Sequence, residues 1–202
     1  MSESEPLLDF LGDMRRLRRE CPWKREQTHR SLARYLEEET SETLEAIDTG
    51  DTAHLREELG DLLLQVYFHA VIAEESGDFT LDDVARGISD KMHRRNPHVF
   101  DATTPTDLSA AEVDEQWQSI KSAEKQRISP YDGIAAGLPA LLLATKILER
   151  RPDASAELPA AGDRDADLGD RLLALVAEAV TSGVDPEQAL RDAVRRAVPT
   201  TP

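Results

Sequence analysis

The stretch spanning residues 35–73 constrains the fold of this chain more than any other. It places one acidic cluster before a short turn and a second after it, and the second cluster leads into a long apolar run. Each cluster contains a glutamate followed three residues later by another acid, Glu39 with Glu42 and Glu58 with Asp61. Residues three apart share one face of a helix. Two antiparallel helices would therefore bring four carboxylates together, and such a group needs a cation.

Apolar side chains recur at helical spacing through most of the chain, and no segment alternates convincingly with period two. Prolines mark several helix ends, because proline cannot continue the hydrogen-bond ladder of a helix. We therefore predict an all-α fold. The predicted helices cover about residues 6–20, from 28 or 31 to 47, 51–76, 80–95 and 109–126.

The third predicted helix, 51–76, is apolar on nearly every side beyond Asp61. Such a helix lies at the centre of a bundle or forms half of a subunit interface. Asp61 lies in line with Gln65 and Phe68, so we expect its surroundings to be largely dry. In the preceding helix, Glu39 falls inside the apolar stripe. Because an unpaired buried charge is too costly, an acid at that position is expected to be paired or bound to metal.

Two basic residues extend the apolar stripe of the fourth predicted helix. Lys91 and Arg95 follow Val84 and Ile88 at steps of four, three and four, so the bases are expected to continue an inward face. Trp117 lies within the apolar stripe of the next helix. The sequence thus predicts two inward cations and an aromatic ring beyond the acidic clusters.

The C-terminal third contains an echo of the second acidic cluster. Residues 167–175 match residues 58–66 at five of nine positions. The copy keeps Asp167 and Asp170, but an Ala/Pro/Asp-rich linker at about 152–166 stands where a first acidic helix would belong. We therefore expect no metal site in this copy. The predicted organisation is a catalytic domain over 1–130 and a degenerate second repeat over 131–202.

Charge and cysteine content limit the partners and the environment. The 202 residues carry a formal net charge of -16, which would repel a nucleic-acid backbone or an anionic membrane. A small polyphosphate is still possible if a divalent cation offsets the repulsion. The single cysteine, Cys21, fits a reducing cytosol. The N-terminal residues lack signal-peptide features, and no apolar run reaches the ~20 residues that span a bilayer. We expect a cytoplasmic protein with no nucleic-acid or membrane partner.

An ordered set of motifs resembles the MazG family of nucleoside triphosphate pyrophosphohydrolases. The acids match that family's EExxE and ExxD patterns, as Glu38-Glu39-x-x-Glu42 and Glu58-x-x-Asp61. The resemblance covers roughly Leu8 to Leu148, and the remainder is similar to a decayed second repeat of the family. The flanking motifs that also match are Cys21-Pro22-Trp23, Glu26-Gln27-Thr28, Arg94-Arg95-Asn96-Pro97-His98-Val99-Phe100 and Trp117.

This resemblance implies a fold, an activity and a set of residue roles. Family members are helical bundles, usually dimers or higher assemblies, that hydrolyse nucleoside triphosphates to the monophosphate and pyrophosphate. A homodimer that uses Mg²⁺, with Mn²⁺ as a possible substitute, is therefore expected. The base and sugar of the substrate stay open. The implied roles are metal ligation by Glu39, Glu42, Glu58 and Asp61, water activation by Glu38, phosphate contact by Lys91 and Arg95, and nucleotide contact by Trp117.

Some positions depart from the family pattern, and two alternatives follow. Lys24, Glu37 and Asn96 stand where the family often has Asp, Leu and His. In some two-repeat members the second copy carries the activity, and here that copy is degraded. A non-catalytic scaffold that binds nucleotide or a partner is therefore the main alternative. A di-iron carboxylate bundle would need two Glu-x-x-His pairs. This chain offers only Glu26 with His29.

Overall fold

The computed structural model describes residues 5–104, 107–125, 129 and 131–197. Within these ranges the regular structure consists of α-helices and one short 3-10 helix without any strand, which confirms the predicted all-α class. The predicted end of the fifth helix at Gln126 lies outside the described residues. The α-helices are α1 (Pro6–Glu20), α2 (Pro22–Glu26), α3 (His29–Thr49), α4 (Thr52–Ser76), α5 (Leu81–Arg95), α6 (Pro97–Phe100), α7 (Ala110–Lys125), α8 (Ala140–Arg150), α9 (Leu168–Thr181) and α10 (Pro186–Ala197).

Side chains that cap helices explain where α3 and α5 begin. The Thr28 hydroxyl accepts a hydrogen bond from the Ser31 backbone N–H at 3.1 Å, and the Ser31 hydroxyl accepts one from the Thr28 N–H at 2.9 Å. Thr80 and Asp83 form the same reciprocal arrangement at the start of α5. These capping boxes satisfy backbone donors that the first turn leaves free. Of the two predicted starts for α3, Thr28 is therefore the cap.

The described chain divides into two compact units, residues 1–117 and 118–202. The boundary falls within α7, so that Trp117 is the last residue of the first unit. The position where one sequence repeat ends and the next begins, expected at 130/131, stays a prediction. Among the described residues no helix is both long and apolar enough to cross a membrane.

The first unit is organised around the helix pair α3 and α4. Gly50 ends α3 in the left-handed conformation, with φ 71°, and Asp51 caps α4, so only two residues separate the helices. The pair is an αα-hairpin in which the helices run antiparallel. The helix α1 packs against α4 and completes the core. The buried core side chains are Leu11, Met14, Leu32, Tyr67, Phe68 and Val71.

Two arginines attach α1 to the C-terminal end of α4. The buried Arg18 donates hydrogen bonds to both carboxylate oxygens of Glu75, at 2.6 and 3.0 Å. Arg15 donates two more to Glu74, at 2.8 and 2.9 Å. Bidentate pairs between arginine and carboxylate fix orientation as well as distance. They hold the C-terminal end of α4 against α1.

The stripe that was expected to face inward on α5 is buried only at its C-terminal end. Arg95 is buried and Lys91 is half-buried, whereas Val84 and Ile88 are 39% and 48% exposed. The prediction of an inward face is therefore wrong for the first half of α5, because the described part of the first unit does not cover that half.

The helix α4 is likewise buried on one side more than on the other. Its core-facing side chains are almost inaccessible, but Leu59 is 51% exposed and Val66 is 43% exposed. Within a single chain α4 is therefore not buried all round. The alternative expectation, that its outer face belongs to a subunit interface, stays a prediction.

The second unit packs α8 against α9 around Leu148, Val176 and Ala177, and α10 contacts both of these helices. The first acid of its repeated segment occupies a different helix position from the corresponding acid of the first unit. Asp167 is the N-cap of α9, where its carboxylate accepts a hydrogen bond from the Gly169 backbone N–H at 2.8 Å. The corresponding Glu58 lies inside α4. In the second copy, this acid stabilises the start of a helix.

Candidate metal centre

A line of polar side chains crosses the apolar sequence of α4. His54, Glu58, Asp61, Gln65 and His69 follow one another at intervals of four, three, four and four residues, which places them on one face of the helix. That face lies against α3, the helix with which α4 makes its most extensive contact. The polar side chains of α4 therefore meet those of α3 along a common seam.

Three carboxylates converge in this seam. Glu39 of α3 and Glu58 and Asp61 of α4 each offer one oxygen, and the three oxygens lie within 4.8 Å of one another. Glu58 is buried, and the other two acids are half-buried. Three of the four predicted metal ligands are thus brought together. The fourth, Glu42, lies one turn farther along α3, is exposed, and is not part of this group.

The electrostatics of Glu39 reflect this crowding. Burial raises the pKa of its carboxyl, and the nearby charges of Asp61, Glu42 and Glu58 raise it further. A hydrogen bond from the Gln65 side chain acts in the opposite direction. Because Glu39 is half-buried among like charges, a cation placed among these oxygens would relieve repulsion and favour the ionised acid.

Glu58 has one partnered and one unpartnered oxygen. His54 Nε2 lies 3.0 Å from Oε1, whereas the buried Oε2 has no hydrogen-bond partner among the described residues. An orphaned buried acceptor is costly, and in native proteins a water or an ion commonly accounts for it. The donors here are hard carboxylate oxygens, which suit Mg²⁺ or Mn²⁺ better than zinc or copper. The residues present therefore fit a hard divalent cation.

The predicted substrate-contacting residues are also in the first unit. The guanidinium carbon of the buried Arg95 lies 5.2 Å from the centre of the Trp117 ring, a cation–π distance. Lys91 is half-buried one turn earlier on α5. Glu38, expected to activate water, is exposed beside Glu39 on α3. The structure thus brings Arg95 and Trp117 together, whereas the roles of all four residues stay predictions.

Two features of the contact between α3 and α4 were not predicted from the sequence. Gln65 was assigned only to the dry face of α4, yet its side chain acts on Glu39 of α3 and lowers the pKa of that carboxyl. A single amide within an apolar run, four residues after Asp61, was the available signal. His29 and His69 are 40 residues apart in sequence but in direct contact, which no local spacing reveals.

Because Glu26 lies on α2, it shares no helix with His29, which removes the one Glu-x-x-His pair of the di-iron alternative.

Comparison with known proteins finds close relatives. A family model described as the MazG nucleotide pyrophosphohydrolase domain matches residues 27–100. A nucleoside triphosphate pyrophosphohydrolase of Mycobacterium tuberculosis is 43% identical over 94% of this chain and 55% of its own length. A nucleoside triphosphate pyrophosphohydrolase/pyrophosphatase MazG of Thermotoga maritima is 39% identical over 88% of this chain and 76% of its own length. The chain thus spans about half of the first relative and three quarters of the second.

One solved structure is also similar. The crystal structure of a mazG-related protein from Thermotoga maritima aligns over 59% of this chain and 99% of that chain, with 28% identity and a TM-score of 0.49.

Proposed function

The chain belongs to the MazG family, and from this premise we propose that it is a pyrophosphohydrolase that converts nucleoside triphosphates to the monophosphate and pyrophosphate with a divalent cation. The observation that carries the proposal is the convergence of Glu39, Glu58 and Asp61, with three oxygens within 4.8 Å. Carboxylates crowded in this way repel one another unless a cation joins them. The names of the relatives agree with this activity.

The three converging acids would hold the cation, and Glu42 would complete the ligand set from the next turn of α3. Mg²⁺ is the proposed ion, with Mn²⁺ as a substitute, because Mg²⁺ binds to proteins through few carboxylates and keeps other positions for waters and phosphates. When bound, such an ion neutralises phosphate charge and lowers the pKa of a coordinated water. The exposed Glu38 would orient the attacking water and accept its proton.

The basic residues of α5 would act on the phosphates. Lys91 and Arg95 would stabilise the charge that develops on the leaving pyrophosphate, and Arg95 would do so with two parallel N–H donors. Trp117 would contribute in two ways, by packing against the Arg95 guanidinium, 5.2 Å from its ring, and by contacting the nucleotide. The buried position of Arg95 would keep its fork in a fixed orientation.

A homodimer is the proposed assembly. Leu59 and Val66 lie two turns apart on α4, Val84 and Ile88 lie one turn apart on α5, and all four apolar side chains are exposed. A second copy that covered these residues would bury α4 on both sides. Sedimentation of the wild-type protein and of a Leu59→Glu, Val66→Glu variant would test this, and a monomer in both cases would refute it.

The activity is tested by measuring pyrophosphate release from a panel of ribo- and deoxynucleoside triphosphates, with and without Mg²⁺. We expect turnover only with the cation, and a loss of about 100-fold or more in Asp61→Ala with helical content unchanged. Glu57→Ala is the matched control, since Glu57 is an exposed acid on the same helix. Unchanged turnover in Asp61→Ala would refute the site. Nucleotide binding without turnover of any substrate would favour the non-catalytic scaffold.

A further inference from the structure

Gln65 is a buried amide at the edge of the three carboxylates. It lies one turn beyond Asp61 on the same face of α4, and only 4% of its surface is exposed. Its side chain lies at the interface between α4 and α3, where it favours the ionised form of Glu39 and so lowers the pKa of that carboxyl. Neighbouring residues on both sides of Gln65 in the sequence are apolar. The amide is therefore a polar exception in a segment otherwise built for packing.

The other end of the same amide has no protein partner. Gln65 Oε1 is buried and has no hydrogen bond to any described residue. An unpartnered buried acceptor destabilises the fold, whereas an apolar side chain of similar shape would avoid that cost. Burial alone therefore does not account for glutamine at this position. Its placement suggests that the donor and the acceptor both serve the acidic centre.

A side-chain amide is an uncharged hydrogen-bond donor that also carries an acceptor. A carboxylate has two oxygens, and a donor that holds one of them restricts how the other can turn. Lysine or arginine would also hold Glu39, but their positive charge would cancel part of the negative charge that attracts a cation. Gln65 donates without adding charge, and its free Oε1 can accept a hydrogen bond from water.

We propose that Gln65 is a positioning residue of the metal centre. Its NH₂ group holds the Glu39 carboxylate so that one oxygen stays directed at Glu58 and Asp61, and its Oε1 accepts a hydrogen bond from a water bound there. The inference rests on the proposed function only in requiring that a divalent cation binds at these three acids.

Binding of Mn²⁺ in the absence of nucleotide tests this directly, with the unbound ion measured by electron paramagnetic resonance. Gln65→Met removes both polar ends and roughly keeps the volume. We expect Mn²⁺ affinity to fall by about 10- to 100-fold, the usual effect of losing a group that orients a metal ligand. Phe68→Leu is the matched control, because Phe68 is a buried core residue of the same helix. It should lower stability and leave Mn²⁺ affinity unchanged.

The outcomes separate this inference from the proposed activity. A folded Gln65→Met protein with wild-type Mn²⁺ affinity overturns the positioning role, even if nucleotide hydrolysis is normal. Reduced affinity in this variant supports the role, even if the wild-type protein hydrolyses no nucleotide. If circular dichroism shows that Gln65→Met is unfolded, Gln65→Asn replaces it, since the shorter amide stays polar but withdraws from Glu39. Wild-type affinity in Gln65→Asn, or no Mn²⁺ binding by the wild-type protein, would also overturn the inference.

Discussion

The imidazole rings of His29 and His69 are in direct contact, with their Nδ1 atoms 2.7 Å apart and the rings within 3° of parallel. The contact joins the first residue of α3 to the C-terminal half of α4, where His69 lies two turns beyond Asp61 on the polar face. A hydrogen bond between two imidazoles needs one donor and one acceptor, so at least one ring must be neutral. Burial lowers the pKa of His69, and His29 lowers it further.

This pair predicts that the protein loses stability in mild acid. An unfolded histidine takes up a proton near the ordinary pKa of 6.5, whereas folded His69 resists protonation until the pH is lower. The stabilising effect of the neutral ring is therefore complete above that value and is lost as the pH falls through the folded pKa. Urea midpoints should fall between about pH 7.5 and 5.5, and less steeply in His69→Gln. His93→Gln, which alters an exposed histidine, should keep the wild-type slope.

A divalent cation should stabilise the folded protein without any nucleotide. Burial and the charges of Asp61, Glu42 and Glu58 raise the pKa of Glu39, so the ionised site opposes folding at neutral pH. Glu39→Gln should raise the melting temperature of the metal-free protein by about 2–4 °C, corresponding to about 1 kcal/mol. The same variant should abolish the rise that Mg²⁺ or Mn²⁺ produces in the wild-type protein. An equal metal-dependent rise in both proteins would place the cation elsewhere.

The two remaining acids should differ in importance. Glu58 is buried and belongs to the converging group, whereas Glu42 is exposed and lies outside it. A buried ligand has no substitute within reach, but water can replace an exposed one. Glu58→Gln should therefore lower kcat/KM by about 100- to 1000-fold and Glu42→Gln by about 10-fold. Pyrophosphate release at saturating Mg²⁺ gives this ranking, and the reverse order would contradict it.

Arginine and lysine should not be interchangeable at position 95. Arg95 stacks over Trp117, 5.2 Å from the ring centre, and its planar fork can bind two phosphate oxygens at once. Arg95→Lys should therefore lower kcat/KM by about 10- to 100-fold although the charge is kept. Lys91→Arg, at the half-buried site one turn earlier, should cost less. Similar small losses in both variants would show that charge alone matters at Arg95.

Local signals predicted the longer helices of the first unit well, but not the short helices α2 and α6. Pro22, Thr28 and Thr80 stand next to the ends of the apolar patterns, and the structure begins or ends helices at or beside each of them. Such caps act over a few residues, so the sequence contains all the information they need. Burial was harder to predict: periodicity shows that Val84 and Ile88 share a face with Arg95, but not that the chain leaves that half of α5 uncovered.

The candidate site, too, was predictable from the sequence only in part. Glu58, Asp61 and Gln65 share a face because helix geometry dictates it, and the sequence alone determined that two acidic pairs would meet if α3 and α4 formed a hairpin. Only the tertiary structure decided which carboxylates converge, that Glu42 lies outside the group, that the Gln65 amide reaches Glu39, and that His29 meets His69. Those contacts depend on the rotation and the axial offset of one helix against the other, which the packing of the core sets and the spacing of residues along a single helix does not specify.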